Sequence, residues 1–286
     1  MSAPTEKTIL DRAAAYDDIY TRWTPKHITV ESFETSTRFV LYSPPGECGH
    51  SEGNEIGFAL RLLDVDHLAG RTILDCCCGT GVSSVYFALK GAQVHAFDAS
   101  AKAIEIGRQS AKLSGVEDRV SFSVQDAQRL DYSSATFDAA YCQSALHILV
   151  DYPKCPEELA RVLKPGGRVV FCEEPLGYNP LLKPIRWWRR RRFRSCGGRT
   201  LSYGDLRRFG TPFGHMRVHH FNLFTQVRTL LGDRAHVPWV KAILRALYGV
   251  DEWLLAHVPP LRPLAGKIVV EYVAAGKEPG QTARAS

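Results

Sequence analysis

The sequence predicts an α/β fold: one mostly parallel sheet with helices on both faces. Three observations carry this. From Arg71 onward, short apolar runs alternate with helical segments, the order that makes parallel strands and crossover helices. A glycine-bearing turn, Gly79-Thr80-Gly81, sits where the first apolar run gives way to the first of these helices. The chain has 286 residues, of which 45% are hydrophobic and 23% charged, ordinary globular usage that excludes a disordered chain, a collagen and a coiled-coil rod. A chain of this size buries enough surface to need no disulfide or metal staple.

The elements follow in order. Residues 8–23 read as a helix ending before Pro25, and residues 43–54 as a Gly/Pro/Ser-rich loop. Ile56–Leu63 reads as a helix. Thr72–Cys76 is an apolar strand, and Val82–Lys90 a helix closed by Gly91. Gln93–Asp98 is a second strand, after which Ser100 caps a helix that runs to Leu113 and stops near Gly115. Val120–Val124 and Phe137–Cys142 are the third and fourth strands. Glu157–Leu163 is helical, Lys164–Gly167 turns, and Arg168–Cys172 is the fifth strand. Residues 176–200 form a basic, aromatic insertion. Ser202–Phe209 reads as a short helix, Val218–Phe224 as a sixth strand, Val240–His257 as a long amphipathic helix and Lys267–Val273 as a seventh strand.

Charge is unevenly distributed. Residues 1–180 hold 17 basic and 24 acidic side chains, residues 181–286 hold 19 basic and 6 acidic. The first residues mix charges and carry no apolar signal stretch, and no run approaches the ~18 residues of a membrane span. A cytoplasmic location with reduced thiols is expected. The eight cysteines, at 48, 76, 77, 78, 142, 155, 172 and 196, show no C-x-x-C pair, so no metal site is expected and they read as small buried side chains.

The stretch Leu74-Asp75-Cys76-Cys77-Cys78-Gly79-Thr80-Gly81 joins a strand to a helix. Glycines there let the backbone approach a ligand, and the helix start offers free N–H groups. Asp98, at the end of the next strand, is placed to accept two ribose hydroxyls. The dinucleotide pattern G-x-G-x-x-G fails, because Ser84 stands where its last glycine would be, and no P-loop G-K-[ST] is present.

These residues resemble the first motif, D-x-G-x-G-x-G, of the class I S-adenosylmethionine-dependent methyltransferases, with Cys77 in place of the first glycine. The resemblance continues through Asp98 and Ala99, through Gln125-Asp126-Ala127, through Phe137-Asp138 and Gln143-Ser144-Ala145-Leu146-His147, and through Arg161-Val162-Leu163-Lys164-Pro165-Gly166-Gly167. It covers residues 70–175. It implies a Rossmann-like, seven-stranded sheet whose last strand is antiparallel. It also implies S-adenosylmethionine as cofactor (S-adenosylhomocysteine as product), held by Asp75, Cys77, Gly79, Gly81, Asp98, Ala99, Asp126, Ala127 and Gln143. Residues 1–69 then form an amino-terminal lid, 70–175 the cofactor-binding core, and 176–286 an acceptor cap together with the strands that complete the sheet.

The catalytic candidates stand at strand ends. His147 follows the fourth strand and reads either as a base or as a packed turn histidine. Glu173 and Glu174 end the fifth strand; one is expected to face the cleft and the other to pair with an arginine. Tyr16, Tyr20, His50 and Tyr178 are the acceptor-binding candidates, with Glu52 and Glu55 in the same lid. Trp187-Trp188-Arg189-Arg190-Arg191-Arg192-Phe193-Arg194 reads as a site for an anionic or phosphate-bearing group, as a contact with an anionic membrane, or as a helix with a solvated arginine face. His219 and His220 point to opposite faces of a strand, which excludes a metal pair. The reading favoured is methyl transfer to a small molecule, in specialised metabolism or glycan-precursor modification. An RNA-binding or RNA-modifying enzyme using the basic last third is the alternative, although no N-P-P-Y follows the fourth strand. A metalloid methyltransferase using Cys48, Cys172 and Cys196 is a third reading.

Overall fold

The computed structural model describes residues 6–39, 54–180, 199–227 and 237–276, with single positions at 182 and 231. The helices and strands are α1 (Glu6–Tyr20), α2 (Val30–Phe39), α3 (Asn54–Leu62), β1 (Thr72–Cys76), α4 (Val82–Leu89), β2 (Gln93–Asp98), α5 (Ala101–Leu113), β3 (Val120–Val124), β4 (Phe137–Gln143), α6 (Leu146–Leu149), α7 (Cys155–Val162), β5 (Leu163–Pro175), α8 (Tyr203–Phe209), β6 (His215–Phe221), α9 (Pro238–His257) and β7 (Lys267–Val273).

The seven strands form one sheet in the order β3-β2-β1-β4-β5-β7-β6. The first five are mutually parallel, and β7 runs antiparallel to both β5 and β6. The fold is therefore the seven-stranded Rossmann-like α/β sheet that the sequence implies. The central strands read as nearly continuous apolar runs because both their faces are covered. On one face Leu74, Ala140, Val169, Phe171 and Val270 meet Leu159 of α7 and Phe209 of α8. On the other, Ile73, Val94, Tyr141 and Val269 meet Ile56 of α3 and Val85 of α4.

The order reverses between β1 and β4, which opens a crevice at the carboxyl ends of β1, β2, β4 and β5, the place where α/β sheets bind ligands. Ser100 caps α5 by accepting the Ala103 N–H at 3.0 Å. The turn at Lys164–Gly167 belongs to the extended run of β5, whose pairing with β4 shifts register between Phe137 and Ala139.

Several elements differ from the sequence reading: α1 ends at Tyr20 and not at residue 23, α6 (Leu146–Leu149) was not anticipated, β5 runs from Leu163 to Pro175 where Arg168–Cys172 was expected, and α2 and β6 differ as follows. Helix α2 was not anticipated. Its signal is a reciprocal pair, Ser32 N–H to Thr29 Oγ1 and Thr29 N–H to Ser32 Oγ, both at 3.0 Å, which does the work of a capping box with serine in place of the usual Glu or Gln. Strand β6 begins and ends three residues earlier than the expected Val218–Phe224. Asn222 adopts a left-handed φ of 62°, which ends the strand there.

Candidate active site

The loop after β1 is built on three left-handed residues, Cys77 (φ 53°), Gly79 (φ 52°) and Gly81 (φ 72°). Two of them are glycines, which adopt this conformation freely. Cys77, standing where the motif has its first glycine, bears the steric cost of its Cβ. Gly81 serves packing: a Cβ there would come within 2.5 Å of the Phe122 ring and 3.3 Å of the Gly107 Cα. The side-chain-free surface of Gly79 is instead met by Tyr20, whose hydroxyl would lie 2.9 Å from a Cβ at that position.

Asp75 lies beneath the loop, only 2% exposed, and accepts the Ser84 hydroxyl at 2.5 Å. It anchors the first turn of α4 from below. Burial pushes its carboxyl up to about 7, against the lowering effect of the Ser84 hydrogen bonds. Asp98 stands at the rim. It accepts the Gly79 N–H and the Ser100 N–H, each at 2.9 Å, so one carboxylate joins the loop after β1 to the start of α5. Burial raises its carboxyl above the ordinary range, and those same N–H groups oppose the rise.

Helix α1 closes over this rim. Its Asp17 accepts the Ser100 hydroxyl at 2.5 Å and the Lys102 N–H at 3.1 Å, capping α5 from outside. That places Tyr20 beside Asp98; burial, followed by the Asp98 charge, raises its phenol well above the usual range. Tyr16 stacks on Tyr20 with ring centroids 6.3 Å apart. Asp17 was not singled out in the sequence; only its place between two tyrosines on one helix hints at it. Asp126 turns the chain after β3 by accepting the Gln128 N–H at 3.0 Å, and Ala127 beside it is buried.

At the ends of β4 and β5 the side chains interlock. Gln143 donates to Glu173, and its Oε1 accepts from Ser83 at 3.4 Å and Tyr141 at 3.3 Å. Glu173 is itself left-handed, with φ 59°. Glu174 is fully buried and accepts the Leu146 N–H at 2.8 Å, the His147 N–H at 3.1 Å and His147 Nδ1 at 2.9 Å. Glu173 thus meets Gln143 and Glu174 meets His147, where the sequence suggested an arginine for one of the two. A carboxylate only accepts, so Nδ1 is the donor, and in the neutral imidazole Nε2 is then the nitrogen with the lone pair.

Tyr178 lies apart from this cluster. It accepts the Tyr203 N–H at 3.0 Å and stacks on that ring, while the Tyr203 hydroxyl meets His220 Nε2 at 2.8 Å. His219, on the other face, packs against Phe58 with centroids 4.5 Å apart. His50, Glu52, Cys48, Cys196 and Trp187–Arg194 lie outside the described residues. Glu55 is buried and accepts from Asn222 at 3.0 Å. Among the described residues no group of three or more His, Cys, Asp or Glu is placed to hold a metal ion. No helix among them is long and apolar enough to cross a membrane.

Residues 73–167, from β1 into the first residues of β5, match the profile of a family described as a methyltransferase domain. Over that span the chain carries a methyltransferase domain. It is 43% identical over 116 residues to a demethylmenaquinone methyltransferase of Clavibacter sepedonicus, covering 41% of this chain and 46% of that protein. It is 37% identical over 112 residues to the methyltransferase GfsG of Streptomyces halstedii, covering 39% and 40%. The chain thus spans less than half the length of these curated relatives. Among solved structures, the geranyl diphosphate C-methyltransferase of Streptomyces coelicolor A3(2) superposes with a TM-score of 0.58 at 16% identity, over 96% of this chain and all of that one. The phosphoethanolamine N-methyltransferase 2 of Haemonchus contortus gives the same TM-score and identity over 96% of this chain and 61% of that one.

S-adenosylmethionine is the cofactor of this domain type, and the residues present fit it. A methyltransferase domain needs an acidic group at the end of β2 and a close-approach loop at the end of β1. Here Asp98 is held at that rim by two backbone N–H groups, one on each carboxylate oxygen, and Gly79 presents a side-chain-free surface that a ligand reaches once the Tyr20 hydroxyl, which lies against it, moves aside.

Proposed function

We propose that this chain transfers a methyl group from S-adenosylmethionine to a small-molecule acceptor. The observation that carries the reading is the Asp98 carboxylate, fixed between the Gly79 and Ser100 N–H groups at the crevice where the strand order reverses. Asp98 accepts the ribose hydroxyls, with Ala99 beside it. Asp126 and Ala127 border the adenine, and Cys77, Gly79 and the start of α4 lie along the rest of the cofactor. Asp75 and Gly81 act from underneath, by fixing the loop.

When bound, the cofactor supplies a sulfonium methyl group already activated toward a nucleophile. The chain's own task is to align an acceptor and to exclude water. Tyr16 and Tyr20 on α1 close the crevice. Gln143 and Glu173, tied together between β4 and β5, form its inner wall. For an acceptor that carries a proton, His147 Nε2 is the base: Glu174 receives the Nδ1 N–H and fixes the ring, which leaves the Nε2 lone pair for the acceptor. Tyr178 marks the outer side of the acceptor pocket. The segments before residue 70 and after residue 175 exceed what a minimal domain needs, and they support an acceptor lid and an acceptor from specialised metabolism.

The test is release of S-adenosylhomocysteine from S-adenosylmethionine across a panel of small hydroxyl, amine and carbon acceptors. The parent is expected to turn over at least one class. His147→Ala is expected to bind S-adenosylhomocysteine like the parent while losing turnover about 100-fold, the usual scale of a removed base. Equal turnover by the variant contradicts the role of His147.

A further inference from the structure

Four of the six cysteines among the described residues meet at the carboxyl ends of β1 and β4. The pairing of Leu74 with Ala140 and of Asp75 with Tyr141 continues to Cys76 beside Cys142, on strands about 4.8 Å apart. Both side chains lie in the core of Leu74 and Ala140, which also holds Cys155 at the start of α7, and all three are fully buried. Cys77 joins them by its backbone. Successive side chains of a strand point to opposite faces. The left-handed φ of 53° returns Cys77 to the side of Cys76, where it packs on the same core, whereas Cys78 packs on the other. The Cys77 thiol is hydrogen-bonded to that of Cys142, and Cys76 and Cys155 lie within electrostatic reach of it.

The four differ in access. Burial pushes the thiols of Cys76, Cys142 and Cys155 well above their ordinary value, so they stay protonated and shielded from solutes. Of the four, Cys77 alone is partly exposed, in the loop between Asp75 and Gly79 that lines the crevice. One thiol reached from the crevice, with a second in contact behind it, is the arrangement of an oxidisable pair. A disulfide bridges Cα atoms about 4.4–6.8 Å apart, a range that the spacing of β1 and β4 falls within. The contact between the thiols carries that reach one residue on to Cys77.

We propose that Cys77 and Cys142 form a peroxide-oxidisable dithiol, in which Cys77 reacts from the crevice and Cys142 then closes a disulfide that ties the loop after β1 to the end of β4. The oxidant is hydrogen peroxide. The Cys77 sulfur attacks one peroxide oxygen; the S–O bond forms, the O–O bond breaks, and the departing hydroxide takes the thiol proton as water, leaving a sulfenic acid. The Cys142 sulfur then attacks the Cys77 sulfur. The S–S bond forms, the S–O bond breaks, and the hydroxyl leaves with the Cys142 proton as a second water. Two thiols thereby lose two electrons and two protons, and one peroxide becomes two waters. Cys142 needs no access of its own, because the sulfur that it attacks is already in contact with it. The thiol pair stands on the packing of β1 and β4; only its protection by a bound cofactor rests on the methyltransferase reading.

The experiment treats the reduced full chain with hydrogen peroxide, blocks the remaining thiols with N-ethylmaleimide and maps tryptic peptides by mass spectrometry. Residues 72–90 carry Cys76, Cys77 and Cys78, and residues 130–154 carry Cys142 alone. In the parent, a cross-link between these two peptides is expected, reversed by dithiothreitol. Cys77→Ser is expected to abolish it. Cys142→Ala is expected to leave a dimedone-reactive sulfenic acid on the Cys77 peptide, with circular dichroism checking that both variants are folded. S-adenosylhomocysteine at about ten times its Kd is expected to slow the cross-link about tenfold by covering Cys77. No cross-link in the parent, or one that survives Cys77→Ser, overturns the proposal. An unchanged rate with the ligand bound overturns the crevice as the route to Cys77. If the ligand does not bind, the methyltransferase reading fails, while the cross-link still decides the thiol pair.

Discussion

Ser84 donates its hydroxyl to Asp75 at 2.5 Å, tying the last turn of β1 to the first turn of α4 beneath the glycine loop. Asp75 is the opening residue of the motif, yet it is buried under the loop rather than presented to the crevice.

A pH dependence follows. Burial lifts the folded carboxyl to about 7, whereas an unfolded aspartate titrates near 4. The folded state therefore holds the proton that the unfolded state releases. This contribution to stability is full below about pH 4 and is lost as pH rises through 7. Asp75→Asn keeps an acceptor for Ser84 and cannot ionise. In urea unfolding at pH 5 and pH 7.5, the parent is expected to lose stability relative to the variant as pH rises. A constant difference between the two would refute the buried, proton-holding role.

Cys77 gives a prediction by its backbone. At φ 53° any Cβ is strained, and glycine is not. Cys77→Gly is expected to exceed Cys77→Ala in unfolding free energy by about 1 kcal/mol, since the pair isolates the Cβ at this left-handed position. Equal stabilities, measured by urea titration, would mean that the loop relaxes out of that conformation.

Much of this was legible in the sequence. The β-α alternation predicted the sheet because buried parallel strands are apolar throughout, and Gly79, Gly81 and Asp98 marked the crevice because a strand-to-helix turn has few other reasons for that pattern. What stayed hidden was long-range or looked local. Asp17 caps a helix more than 80 residues away, and nothing beside it in the chain signals that partner. The end of β6 was misplaced because Leu223 and Phe224 continue the apolar pattern past Asn222, whose backbone turns away. One of Glu173 and Glu174 was expected to pair with an arginine by charge alone; Glu174 instead meets His147, which the pairing of β4 with β5 brings to it.

Gly81 and Gly166 separate strain from crowding. Both are left-handed, at φ 72° and 76°, but a Cβ at 166 meets nothing within 4 Å whereas one at 81 meets Phe122 at 2.5 Å. Gly166→Ala is expected to cost about 1–2 kcal/mol, and Gly81→Ala roughly 1–3 kcal/mol more through overpacking. Similar losses in thermal or urea unfolding would contradict the packing role assigned to Gly81.

Glu174 sustains three hydrogen bonds from a fully buried position. Glu174→Ala strands two backbone N–H groups and is expected to cost about 3 kcal/mol or more. Glu174→Gln, which keeps one acceptor oxygen, should lie between the parent and the alanine variant. An alanine variant within about 0.5 kcal/mol of the parent by urea unfolding would show that water replaces the carboxylate there.

The most direct test of cofactor binding is calorimetric titration of S-adenosylhomocysteine into the parent and into Asp98→Ala, with circular dichroism confirming that both are folded. Hydrogen bonds to a charged acceptor contribute about 1.5–3 kcal/mol each. The parent is expected to bind, and the variant to bind about tenfold more weakly or worse, at 1.4 kcal/mol per decade. A folded parent that shows no binding at millimolar ligand, or a folded variant that binds as tightly as the parent, would contradict the assignment of this crevice.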